Sequence, residues 1–200
     1  MPTRRDTLAV IPAWNEAGTI AAVVGGVYAG AAEADVLVVD DGSSDATVAS
    51  ARAAGARVVS HVFNMGYGAA LQTGYKRAER DGYRYVVQLD ADGQHAPADV
   101  ERLLAPLRAG TADVVLGSRF AASTNYRMGT TRTIGRAILR SILVACGGPD
   151  VADPTTGFQA TRVTKARPYF WIAGHAWSNT FQMISPTRIV TLSAAAPATT

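Results

Sequence analysis

The chain has a single cysteine, Cys146, so it cannot close a disulfide within itself, and a reducing compartment is the simpler expectation. Cys146 lies in an apolar run and reads as a core thiol. No stretch approaches the roughly 18 consecutive apolar residues that a membrane-spanning helix needs. Any membrane contact is therefore expected to be peripheral, or to depend on a separate membrane partner. Met1 to Asp6 is polar and runs straight into a strand pattern, which predicts no signal peptide. Net charge is low, at +3, and does not by itself point to nucleic acid. It is equally compatible with a patch facing an anionic lipid or a phosphate. Acidic residues are missing from one end: all 16 lie at or before Asp153, and the last 47 positions have none.

What is present describes a globular α/β protein. Apolar residues make up 48% of the chain and charged residues 18%, and 200 residues suffice for one domain with a substantial core. Short apolar runs alternate with helical patterns, which predicts a mostly parallel central sheet flanked by helices. Strands are expected at Thr7 to Ile11, Asp35 to Val39, Ala56 to Ser60, Tyr85 to Leu89 and Asp113 to Leu116. Helices are expected at Ala17 to Ala32, Asp45 to Ala54, Gly68 to Arg80 and Pro97 to Ala109. The third helix puts Ala70, Leu71, Gly74, Tyr75 and Ala78 on one face. Ser44 is the expected N-cap of the second.

Beyond residue 118 the pattern changes. Ala121 to Met128 is a polar loop, and Arg132 to Cys146 alternates Arg132, Arg136 and Arg140 with Ile134, Ile138, Leu139, Ile142 and Leu143. At helical spacing these form a basic side and an aliphatic side. That pattern fits a surface helix covering the core, and it also fits a basic helix lying on a membrane or a phosphate. After Arg162 no helix or strand period persists, and Pro168, Pro186 and Pro197 interrupt the stretch. Residues 1–162 are therefore read as the domain. Residues 163–200 are read as an atypical tail, with the character of a truncated, rearranged or out-of-frame terminus.

Four segments at predicted strand ends carry chemistry, because open parallel sheets bind ligands at the carboxyl ends of their strands. The first is Pro12-Ala13-Trp14-Asn15-Glu16. Here Pro12 fixes the backbone, Trp14 offers a flat face to a base, and Glu16 offers a carboxylate to a ring N–H or a hydroxyl. The second is Val38-Val39-Asp40-Asp41-Gly42-Ser43-Ser44-Asp45, whose adjacent carboxylates need a partner such as a nucleobase N–H or a cation. Asp-Gly-Ser is also ordinary turn chemistry. The third, Asn64-Met65-Gly66-Tyr67-Gly68-Ala69-Ala70, lets backbone approach a ligand at a helix N-terminus. It lacks the glycine spacing of a dinucleotide fingerprint. The fourth, Gln88-Leu89-Asp90-Ala91-Asp92-Gly93-Gln94-His95, ends a buried strand in Asp-x-Asp. Two carboxylates there suit Mg²⁺ or Mn²⁺ when a diphosphate supplies further oxygens.

With these segments in this order, the chain resembles family 2 glycosyltransferases of the GT-A nucleotide-diphospho-sugar transferase fold. Within that family it is similar to the dolichyl- or polyprenyl-phosphate mannosyl- and glucosyltransferase group. The likeness covers roughly residues 6–162 and includes Gly117-Ser118-Arg119 and Asp153-Pro154-Thr155-Thr156-Gly157-Phe158. It implies that Pro12, Trp14, Glu16, Val39 and Asp41 hold the nucleoside, and that Asp90, Ala91 and Asp92 meet the ribose and diphosphate. By the same resemblance Asp92 and Gln94 hold the Mg²⁺ or Mn²⁺. Arg119 approaches the phosphates or acceptor, with Arg132 and Arg136 as looser matches to acceptor-phosphate arginines. The implied partners are a nucleotide-diphosphate sugar and a polyprenyl phosphate at the cytoplasmic face of a membrane. The expected reaction is a single inverting displacement, with Asp92 and Arg119 in the catalytic set. The family's usual basic closing segment is absent between Val163 and Thr200. Two alternatives stay open: transfer to a sugar hydroxyl with Asp153 as base, and a non-catalytic protein that only binds nucleotide sugars.

Overall fold

The structure, a computed structural model, describes residues 5–93, 99–118, 157–163 and 188–193. The arginine-bearing segment 132–146, with Cys146, lies outside the described residues. Eleven elements are described in the order β1 (Thr7–Ala13), α1 (Ile20–Gly30), β2 (Ala34–Asp40), α2 (Thr47–Ala53), β3 (Arg57–Ser60), α3 (Tyr67–Arg80), β4 (Tyr85–Gln88), α4 (Val100–Arg108), β5 (Val114–Ser118), β6 (Gln159–Arg162) and β7 (Ile189–Ser193). Among the described residues, seven strands form one sheet ordered β3-β2-β1-β4-β6-β5-β7. Only β6 runs against the others, pairing antiparallel with β4 and β5, so the expected mostly parallel sheet is present as a mixed one.

Alternation along the strands explains why their sequences read as continuous apolar runs. Ala9, Ile11, Val36, Val38 and Val87 face one core with Val23, Val24 and Val27 of α1, Ala51 of α2, and Leu103, Leu104 and Leu107 of α4. Leu8, Val10, Leu37, Val39 and Val86 face the other with Leu71, Tyr75 and Ala78 of α3. A sheet covered on both faces needs apolar residues at both parities. The five α3 residues expected on one face are the ones α3 buries.

Three details differ from expectation. Ser44 does not cap α2: its N–H goes to Asn15 Oδ1, and the helix begins later, at Thr47, with no side-chain cap bond. Nearby, Asp45 accepts from both the Thr47 N–H and hydroxyl. Helix α1 starts at Ile20 rather than Ala17, because the Ala17 N–H is held by Asp45 and the Glu16 carbonyl turns the chain by accepting from Thr19 and Ile20. Finally, Ile189–Ser193 pairs parallel with β5 although no strand period was evident after Arg162. An edge strand of five residues pairs through its backbone and requires little side-chain pattern.

Candidate functional site

The strand order reverses direction at β1, whose neighbours are β2 on one side and β4 on the other. Such a switch point leaves a crevice outside the carboxyl ends of the strands. A cleft of about 310 Å³ occupies this place, within the usual size range of small-ligand sites. The β1 end contributes Pro12, Ala13, Trp14 and Glu16 to it, and the β2 end contributes Asp41. Asn64, Gly66, Tyr67 and Ala70 come from the start of α3, and Asp90, Ala91 and Asp92 from the β4 end. All four sequence segments thus converge on one cavity. Val39 does not line it, since its side chain is buried beneath, against α3. Gln94, Arg119, Arg132, Arg136 and Asp153 lie outside the described residues.

The first two segments are laced together by side chains. Asn15, at φ 56°, donates its N–H to Ser43 Oγ and accepts from the Ser44 N–H. The Glu16 N–H donates to Thr47 Oγ1, and one Glu16 carboxylate oxygen accepts from the Thr19 hydroxyl. This lacing leaves the Trp14 ring at the cleft rim, 55% exposed, where a flat apolar face is available to a ligand.

Asp41 is buried, and its carboxylate meets donors from the chain itself. It accepts from the Met65 N–H at 2.9 Å, the Gly66 N–H at 2.7 Å and His61 Nδ1 at 2.7 Å. Burial works to raise its pKa, but the Met65, His61 and Gly66 hydrogen bonds outweigh it and hold Asp41 below the ordinary carboxylate value. Asp40 accepts from the Ser43 N–H of its own turn, while Asp41 is partnered by the loop entering α3. Gly66 sits there at φ 93°, a conformation that L side chains rarely adopt, and so allows its N–H to reach Asp41.

At the β4 end, Tyr67 donates its hydroxyl proton to Asp90 Oδ1 at 2.8 Å and accepts from Gln88 Nε2 at 2.9 Å. The buried Gln88 carbonyl accepts from the Tyr75 hydroxyl at 3.2 Å and from Gln159 Nε2 at 3.1 Å. Although Tyr67 is 45% exposed, desolvation of its hydroxyl and then the negative charge of Asp90 push the phenol above its usual range, so it remains a donor at neutral pH. The other side of Asp90 lies against Gly157, where an added Cβ would overlap the carboxylate. The sequence placed Tyr67 and Gln88 within chemistry-bearing segments without a role for their side chains, and gave no indication of His61 or Gln159. The available signal was an amide closing the otherwise apolar Tyr85-Val86-Val87-Gln88 strand.

Asp90 and Asp92 share the cleft as two hard oxygen donors, a set that fits Mg²⁺ or Mn²⁺ when a diphosphate completes the shell. Among the described residues, no group of three or more His, Cys, Asp or Glu could hold a metal by itself.

The profile for glycosyl transferase family 2 matches residues 8–170. The chain is 35% identical over 176 residues to the polyprenol monophosphomannose synthase of Mycolicibacterium smegmatis, covering 80% of this chain and 63% of that protein. It is 34% identical over 170 residues to the undecaprenyl-phosphate mannosyltransferase of Micrococcus luteus, covering 80% and 68%. It therefore spans about two thirds of the length of these relatives. Among solved structures it is similar to the glucosyl-3-phosphoglycerate synthase of Mycobacterium tuberculosis in complex with Mn²⁺ and UDP-glucose. There the TM-score is 0.68 and the identity 26%, over 95% of this chain and 69% of that one.

Proposed function

The chain belongs to glycosyl transferase family 2, and from that membership we propose that it moves a sugar from a nucleoside diphosphate to a polyprenyl phosphate. The observation that carries this reading is the convergence of four strand-end segments on one cleft holding Asp90 and Asp92, in a chain whose relatives are named for lipid-phosphate acceptors. Pro12 and Trp14 would bound the base, and Glu16 would accept from a ring N–H or a hydroxyl. Asp41 would act by fixing the loop that forms the opposite wall. Asp90 and Ala91 would meet the ribose and diphosphate. Asp92 with Gln94 would hold Mg²⁺ or Mn²⁺, which when bound offsets charge on the departing diphosphate.

The reaction is an in-line displacement. An acceptor phosphate oxygen forms a bond to the anomeric carbon, while the bond from that carbon to the diphosphate oxygen breaks on the opposite face, with inversion. The nucleoside diphosphate leaves with the electron pair. A phosphate monoester, with a second pKa of about 6, is already ionised near neutral pH and needs no base. Arg119, with Arg132 and Arg136 as further candidates, would hold it by paired N–H groups. Incubation with a panel of nucleotide sugars, Mn²⁺ or Mg²⁺ and polyprenyl phosphate tests the proposal, and the expected product is a polyprenyl phosphosugar of inverted configuration. Asp153→Asn separates this from transfer to a hydroxyl. The variant should retain use of polyprenyl phosphate within about tenfold, whereas loss of a general base would cost about 10²–10⁴-fold.

Membrane contact is proposed to be peripheral. Among the described residues, no helix is long and apolar enough to cross a membrane. The loop between β3 and α3 instead presents Val62, Phe63 and Met65 at 96%, 66% and 56% exposure, while its Asn64 and Gly66 line the cleft. An apolar tip beside the donor cleft would set it at headgroup height. Replacing all three residues with serine is expected to weaken co-sedimentation with phospholipid vesicles by at least about tenfold, since each buried apolar side chain contributes about 1.5–3 kcal/mol. Unchanged vesicle binding would remove this loop from the interface.

A further inference from the structure

We propose that Tyr67 is a positioning residue for Asp90, aiming its carboxylate at the donor through a one-way chain of hydrogen bonds that crosses from β6 through β4 to α3. The inference rests on the reading of the cleft as a nucleotide-sugar site.

The direction of the chain follows from which atoms can donate. Gln159 Nε2 contacts both the Tyr75 hydroxyl, at 3.3 Å, and Gln88 Oε1. A carboxylate only accepts, so the single Tyr67 proton goes to Asp90 Oδ1. The phenol oxygen is then the acceptor toward Gln88, which must present its amide nitrogen there. That leaves the Gln88 carbonyl facing Gln159 Nε2 and the Tyr75 hydroxyl, both of which donate to it. Reversing the Gln88 amide would leave the Tyr67 oxygen facing a carbonyl with no proton to give it.

Asp90 is thereby constrained on two sides. Tyr67 holds Oδ1, and Gly157 backs the carboxylate so closely that no side chain fits at that position. The register keeps the pieces aligned: Gln88 pairs directly with Gln159 across the antiparallel β4–β6 ladder. A carboxylate whose orientation is set before the ligand arrives avoids the ordering cost of binding. The Tyr67 hydroxyl touches no part of the reacting bond in this assignment and acts only through Asp90.

Tyr67→Phe keeps the ring and removes the proton. Calorimetry with nucleoside diphosphate and Mn²⁺ should give a Kd raised about tenfold, the size of effect seen when a supporting hydrogen bond to a ligand-binding group is lost. Turnover at saturating donor should stay within about threefold. A double-mutant cycle supplies the readout that a merely structural role would not move. In an Asp90→Ala background, Tyr67→Phe should cause no further loss of affinity. An unchanged Kd in Tyr67→Phe overturns the assignment. Additive losses in the cycle overturn it too, as would a fall in affinity matched by a lowered melting temperature. If Asp90→Ala alone binds the donor normally, the site reading itself fails, a result distinct from these.

Discussion

Asp92→Ala is expected to abolish metal-dependent donor binding, weakening nucleoside diphosphate affinity in Mn²⁺ by about 100-fold or more. Within the described residues the cleft offers two carboxylates from the β4 end, Asp90 and Asp92. Tyr67 holds one oxygen of Asp90, whereas Asp92 stands exposed on the turn before Gly93, at φ 75°. Removing Asp92 takes away one of two hard donors, and a diphosphate left without its cation meets the remaining carboxylate as a like charge. Binding without metal, already weak, should barely change. The measurement is calorimetry of the nucleotide with and without Mn²⁺ in both proteins. Equal metal-dependent affinity in wild type and variant would refute the proposed cation role.

Asp41→Ala should do damage of a different kind, lowering stability by about 3 kcal/mol or more while also weakening the donor. The carboxylate accepts two backbone N–H groups and bonds His61, and hydrogen bonds to a charged group are worth about 1.5–3 kcal/mol each. Without it, the Met65 N–H loses its acceptor, the Gly66 N–H keeps only its 3.1 Å bond to Asn64 Oδ1, and the cleft wall formed by Asn64, Gly66 and Tyr67 loosens. The sign of the pH dependence follows from the depressed pKa of Asp41. A carboxyl with a lower pKa in the folded state stabilises above its unfolded value of about 3.9, and that contribution is lost as pH falls through the folded value. Urea unfolding across the acid range should therefore show a steeper loss in wild type than in Asp41→Ala. Parallel acid limbs would show that Asp41 contributes nothing through ionisation.

Much of the site was legible from order along the chain. Asp90-Ala91-Asp92, Pro12 to Glu16 and Asp41 each followed an apolar strand, and parallel strands deliver their carboxyl ends to one edge, so these residues were bound to gather there. Periodicity served equally well for α3, whose buried face matched its spacing. Where two readings competed, contacts made the choice. The double aspartate at Asp40 and Asp41 implied an unmet need for a donor. Backbone groups 24 and 25 residues further along met the need of Asp41, and local pattern cannot reveal a partner at that separation.

By itself the sequence determined the α/β class, the strand-end motifs and the family, because each depends on residue type and local period. Tertiary structure alone decided that β6 reverses, that Ile189–Ser193 joins the sheet, and that Gln159 meets Gln88 and through it Tyr67 and Asp90. Those outcomes rest on backbone pairing and on directional hydrogen bonds between residues up to 84 positions apart. Such bonds leave no period in the sequence, since a single donor and a single acceptor suffice to make each one.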